Sequence, residues 1–131
     1  MIKLLLDTDY LIDYFRDQRD ATLLIQDIRK RRIEGYLSVM SLYELYIGVA
    51  GYPDEKERIS EIQTLKNWFL TLTLGEQTMY KAAQIRAYLK TINRTIEVRD
   101  LFIATTAILK NIPLKTRNKK DFRYIPELKL A

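Results

Sequence analysis

Cysteine and histidine are both absent from this chain. Without cysteine there is no disulfide framework, no thiolate zinc site and no cysteine nucleophile. Without histidine there is no serine–histidine triad, no imidazole acid–base pair to cleave RNA, and no imidazole metal ligand. Long apolar runs are missing as well: none approaches the ~20 residues of a membrane helix. Asp7 and Asp9 interrupt the region where a secretory leader would be apolar. The expectation is a soluble, cytoplasmic protein with no membrane association. Any chemistry must come from Asp, Glu, Lys, Tyr, Ser or Thr, in combination with a hard, oxygen-bound cation.

What is present suits a globular enzyme. The 131 residues are 47% hydrophobic and 11% aromatic, enough for a packed core and of a length for one domain, residues 1–131. The formal net charge is +5. Basic residues gather in "RKRR" (Arg29 to Arg32) and between Lys110 and Arg123. The first group reads as a solvated helix end, with a phosphate-tracking patch as the alternative, and the overall excess suits a polyanionic partner.

Periodicity predicts alternating strands and helices. "IKLLL" reads as a buried strand, followed by a short helix in "LIDYFRD". "ATLLIQDIRKRRIEG" has helical spacing and is expected to end at Gly35, with "YLSVM" as the second strand. Ser41 is expected to start a helix through "LYELYIGVAG", and Pro53 another that carries Ile59, Ile62, Leu65 and Trp68. "FLTLTLG" is a third strand. "EQTMYKAAQIRAYLKTIN" is helical, with Asn93 suited to its C-terminal end. "DLFIATTAILKN" is helical, "PLKT" a short strand, "NKKDF" a turn or helical start, and "LKL" a last strand. This alternation implies an α/β domain with a mostly parallel sheet, whose ligands bind beyond the carboxyl ends of its strands.

Four acidic positions stand out, and three have an ordinary reading. Ser41 and Glu44 in "SLYE" have capping-box spacing. Asp100 in "VRDLF" suits a helix N-cap, and Asn118 with Asp121 in "NKKDF" another. Asp7 has the weakest ordinary reading, because it ends an apolar run rather than sitting in a turn cluster. Taken together the four belong to one rim: they follow strands or open the helix that leads into one. Gathered carboxylates repel one another, a cost that makes sense around a divalent cation.

These residues resemble the PIN-domain ribonucleases, specifically the VapC-like toxins of toxin–antitoxin systems. The matching segments are "LLLDTDYLID", "LSVMSLYELYIGV", "VRDLFIATTAIL" and "TRNKKDF", which span the chain in family order. The resemblance implies a PIN-like three-layer α/β fold, with a sheet of about five strands in the order 3-2-1-4-5 flanked by helices. It implies a homodimer, an antitoxin partner whose C-terminal segment covers a hydrophobic groove, and Mg²⁺- or Mn²⁺-dependent cleavage of RNA. Asp7, Glu44, Asp100 and Asp121 match the family's acids, Thr8 its hydroxyl position beside the first acid, and Thr116 and Asn118 its polar loop after the fourth strand. Asp9 stands where the family more often has Asn or Ser, and "NRTIEV" fills a loop where a glycine is common before the third acid. Lys115 replaces a usually apolar strand residue.

The implied mechanism is metal-assisted phosphodiester hydrolysis, with Asp7 and Asp100 holding the metal directly and Glu44 and Asp121 directly or through water. Tyr10, Tyr43 and Phe122 are candidates to stack bases. Two rivals remain open at this point. "LLLDTDYL" resembles the opening of the haloacid-dehalogenase-like phosphatases, with Asp7 as nucleophile and Asp9 as acid–base, although Leu11 departs from that pattern. The other is a PIN-like binding module with a silent site.

Overall fold

The computed structural model describes residues 1–131. The first strand, β1 (Ile2–Leu6), lies at the centre of the sheet and is followed by helices α1 (Thr8–Phe15) and α2 (Arg19–Arg29). Strand β2 (Ile33–Ser38) runs into α3 (Val39–Ile47) and α4 (Glu55–Lys66), and β3 (Leu70–Leu72) into α5 (Glu76–Thr91) and α6 (Val98–Lys110). Strand β4 (Leu114–Lys115) precedes the single turn α7 (Lys119–Phe122). All pairings are parallel, in the order β3-β2-β1-β4. A lone parallel bridge from Leu114 to Leu130 is what remains of the expected fifth strand. The order 3-2-1-4 is therefore as expected, with four strands instead of about five.

The apolar run of β1 is explained by burial on both faces. Leu4 and Leu6 join Leu37, Ile25, Ile28 and Leu65 in the layer built from α1 to α4. Leu5 points the other way and joins Leu114, Ile85, Ile103, Ala104 and Phe122 in the layer of α5 to α7. The sheet is sandwiched between the two helical layers, and strand β1 feeds its C-terminal end into the rim between β2 and β4.

Several boundaries differ from expectation. Gly35 does not end a helix: α2 stops at Arg29, and Gly35 lies inside β2. Its missing side chain lets α2 approach the sheet, since a Cβ there would stand 2.6 Å from Ile28 Cγ2 and 3.0 Å from Phe69. Strand β2 consequently begins at Ile33, not Tyr36. Helix α3 is capped by Ser38, whose side chain accepts from the Met40 N–H, so Ser41 is not its N-cap. Helix α4 starts at Glu55, two residues past Pro53. Asp100 is not an N-cap either: Glu97 holds that position and Asp100 lies in the first turn of α6.

Helix ends are closed with little glycine. At the end of α5 the Asn93 N–H bonds to the Lys90 carbonyl and the Arg94 N–H to the Leu89 carbonyl, the paired bonds of a Schellman turn. Asn93 takes the left-handed conformation this requires, at φ 57. The same two-bond closure recurs with Asp17, Arg31 and Asn111 in the left-handed position.

Candidate active site

The strand order reverses direction between β1 and β4, and the site forms there. Asp7 follows β1 directly, and its N–H continues the ladder to the Lys115 carbonyl at 2.9 Å. Its side chain is nearly inaccessible, 6% exposed. One carboxylate oxygen accepts from the Thr8 N–H at 2.8 Å, and the other from the Thr116 hydroxyl at 2.7 Å. Thr116 emerges from β4 and in turn accepts from the Asn118 N–H at 3.0 Å. Asp7 is thus gripped from two strands, which fixes the plane of its carboxylate.

Thr8 connects the first acid to the second. Its hydroxyl lies 2.8 Å from the Ser41 hydroxyl and donates to Glu44 Oε1 at 3.1 Å. Ser41 and Glu44 are three residues apart on α3 and so share a face. The spacing that reads as a capping box in sequence places both side chains against Thr8. The second Glu44 oxygen lies 3.8 Å from Arg99, which also pairs with Glu97.

The electrostatics tie these groups to Asp100 and Asp121. Burial pushes the Asp7 carboxyl up to about 7; the Thr116 hydrogen bond opposes this, and the charges of Asp9 and Asp100 add to it. Asp100 is pushed up to about 6, first by burial and then by Glu44, Glu97 and Asp121, with Arg99 opposing. Asp7 and Asp100 therefore both feel neighbouring carboxylates across the rim. Asp121, on α7, accepts from the Asn118 side-chain amide at 2.8 Å. As they stand, no three of the acidic side chains are close enough together to hold one metal ion. The donor chemistry is nonetheless that of a hard cation: oxygen only, partly buried and mutually repelling, with Arg99 offsetting part of the charge beside Glu44 and Asp100. Asp9 adds a further oxygen, Oδ1, that is buried without a partner.

Sequence reasoning missed Ser41 as a site hydroxyl and missed Arg117 altogether. Arg117 looks from its position like a contact for a polyanion. Instead its guanidinium binds Asp13 at 2.5 Å and both oxygens of Asp20 at 2.8 Å, and lies 4.1 Å from the centre of the Tyr10 ring. Its backbone N–H donates to Asp9 Oδ2 at 3.0 Å. The hydrogen bond to Asp20 is the main reason its pKa is raised, and the same contact holds Asp20 down at about 2. The run of acids in "DYLIDYFRDQRD" was the available signal. Of the three candidate stacking residues, Tyr10 and Phe122 are buried in the core, whereas Tyr43, beside Glu44, is 56% exposed.

Known proteins share this arrangement of sequence and fold. The PIN domain family profile matches residues 4–128. Ribonuclease VapC of Rickettsia bellii is 39% identical over 100 residues, spanning 74% of this chain and 75% of that protein. Ribonuclease VapC1 of Methanocaldococcus jannaschii is 32% identical over 132 residues, spanning 98% and 85%. The backbone also superimposes on a chain in the crystal structure of VapBC2 from Rickettsia felis bound to a DNA fragment from their promoter. That likeness has a TM-score of 0.87 at 22% identity, covers 99% of this chain and 98% of the other, and shows the fold. This chain belongs to the PIN-domain family, and within it to the VapC-like proteins.

Proposed function

We propose that this protein is a divalent-metal-dependent endoribonuclease and the toxin of a toxin–antitoxin pair, working as one domain over residues 1–131 in the cytoplasm. The observation that carries the reading is the buried Asp7 carboxylate, pinned by Thr116 at the switch point and electrostatically coupled to Asp100. Curated relatives named as ribonucleases support the activity. Asp7 and Asp100 would hold Mg²⁺ or Mn²⁺ directly, with Glu44 and Asp121 bound to it directly or through water. When bound, the cation supplies Lewis acidity, lowering the pKa of an attacking water and neutralising charge on the phosphate. The protein's own part is positioning. Thr116 and the Thr8 N–H orient the Asp7 oxygens, Thr8 holds Glu44, and Asn118 aligns Asp121. With no histidine, a carboxylate of this group is the protein group available to take a proton from water.

The fit to partners follows from the surface. A cleft of about 300 Å³ between α1, α3 and α4 has an apolar lining of Ile12, Phe15, Leu45, Val49 and Ile62 and a charged one of Arg16, Arg58, Glu44 and Glu61. It suits an antitoxin segment with an apolar stretch and a basic residue. The assembly we propose is a homodimer, as the family resemblance implies. No helix is long and apolar enough to cross a membrane.

The test is cleavage of RNA by the purified protein. Products should appear with Mg²⁺ or Mn²⁺ and disappear on adding EDTA. Cleavage that persists undiminished in EDTA rules out the metal-dependent reading.

A further inference from the structure

The arginines around the rim divide into two groups. Arg117 is bound to Asp13 and Asp20, and Arg99 to Glu44 and Glu97. Arg94 and Arg123 have no carboxylate partner; both converge on Tyr124. The Arg94 guanidinium carbon lies 3.7 Å from the centre of the Tyr124 ring and that of Arg123 4.9 Å. Each donates a hydrogen bond to the same phenol oxygen, at 2.8 Å in both cases.

This arrangement offers only donors. The phenol oxygen has two lone pairs, and the two guanidinium bonds use both, so its own proton is left to donate outward. Each guanidinium keeps further N–H groups in a planar fork, the geometry that matches the oxygens of a phosphate. Two like charges held on one phenol repel each other, and a bound anion would relieve that repulsion.

The backbone holds the cluster in place. Arg94 is fixed by the Schellman turn that closes α5, in the "NRTIEV" loop that leads to Asp100. Arg123 caps α7, the turn that carries Asp121. Phe122, fully buried, sits between Asp121 and Arg123. At about 100° per residue the two flank it on opposite sides of the turn. Asp121 and the cluster therefore lie on opposite sides of the same turn.

We propose that Arg94, Tyr124 and Arg123 form a subsite for an RNA backbone phosphate flanking the scissile bond, an inference that rests on the ribonuclease reading above. Phosphate contacts of this kind position a strand without reading its sequence.

Binding of a mixed-sequence single-stranded RNA oligonucleotide, measured in EDTA over a range of salt, tests it. The Arg94→Gln/Arg123→Gln pair should weaken binding about tenfold at low salt and reduce the slope of log affinity against log salt by about 0.7 for each phosphate no longer neutralised. Arg31→Gln/Arg32→Gln removes the same charge at the opposite, N-terminal edge of the sheet and should leave the slope unchanged. Arg94→Lys/Arg123→Lys should retain the slope, which separates a missing charge from a failure to fold. Equal losses from both glutamine pairs, or no loss from Arg94→Gln/Arg123→Gln, would overturn the subsite. If wild-type protein binds RNA with this arginine dependence but never cleaves it with Mg²⁺ or Mn²⁺, the cluster stands as an RNA-phosphate site, and both the ribonuclease reading and the placement beside a scissile bond fall. Wild-type protein that binds no RNA overturns both.

Discussion

Asp100 is the residue that most sharply separates a structural role from a chemical one. It stands in the first turn of α6 without capping it, since Glu97 holds the N-cap position. Asp100→Asn keeps the shape but removes a charge and a strong ligand. Cleavage of RNA with Mg²⁺ should fall about 100-fold or more, while the metal-free protein melts no lower, because a repulsion has gone. Asp9→Asn should behave differently. Its outer oxygen accepts the Arg117 N–H, and an asparagine oxygen can do the same. We expect less than a tenfold loss, measured in the same cleavage assay; a loss equal to that of Asp100→Asn would put Asp9 among the metal ligands. The acids could be singled out in the sequence because four segments carried them in family order. The ordinary reading failed at Ser41 for a geometric reason. Ser-x-x-Glu is the spacing of a cap and also of two side chains on one helical face, and only the partner, Thr8, decides between them.

At the scale of elements, the loop after β4 shows how distant charges hold the hydroxyl that binds Asp7. Arg117 ties this loop to α1 through Asp13 and to α2 through Asp20, and Thr116 beside it reaches Asp7. Arg117→Met keeps the aliphatic stem against Tyr10 and removes both ties. The Thr116 hydrogen bond should loosen, lowering metal affinity about tenfold, as for other groups that orient a ligand. Calorimetric titration with Mn²⁺ measures this; unchanged affinity would make Arg117 purely a surface clamp. The element boundaries were the least legible part of the fold. In "RRIEGYLS" a glycine follows a helix, which reads as a stop, yet it serves the packing of α2 on β2. Gly35→Ala should cost about 1–3 kcal/mol, because the added carbon meets Ile28 and Phe69 with little room to shift. A lower denaturant midpoint with an unchanged slope would show it. The fifth strand was over-read because "LKL" has a strand-like pattern, but it is paired only through Leu114.

For the molecule as a whole, the alternation of apolar strand and helix periods made the parallel α/β class readable, whereas the strand order came from the family resemblance and is the order observed as far as β4. Charge at the rim was less readable, since its cost depends on burial that only the fold creates. That cost makes a global prediction. Asp7 is raised to about 7 and Asp100 to about 6, against an ordinary value of 3.8. The folded protein therefore binds protons more tightly than the unfolded chain between pH ~4 and ~7, and linkage makes folding less stable as pH rises through that window. Below pH ~4 both states are protonated at these groups and the penalty vanishes; above ~7 it is fully present. Metal-free protein should thus melt at a lower temperature at pH 8 than at pH 5.5. Asp7→Asn should flatten the dependence. A saturating divalent cation binds the ionised, folded site and should reverse the trend, raising the melting temperature most at pH 8. Melting curves at both pH values, with Mn²⁺ or EDTA, measure all of this. A Mn²⁺ effect that is equal at the two pH values, or that survives Asp7→Asn undiminished, would place the cation somewhere other than this rim.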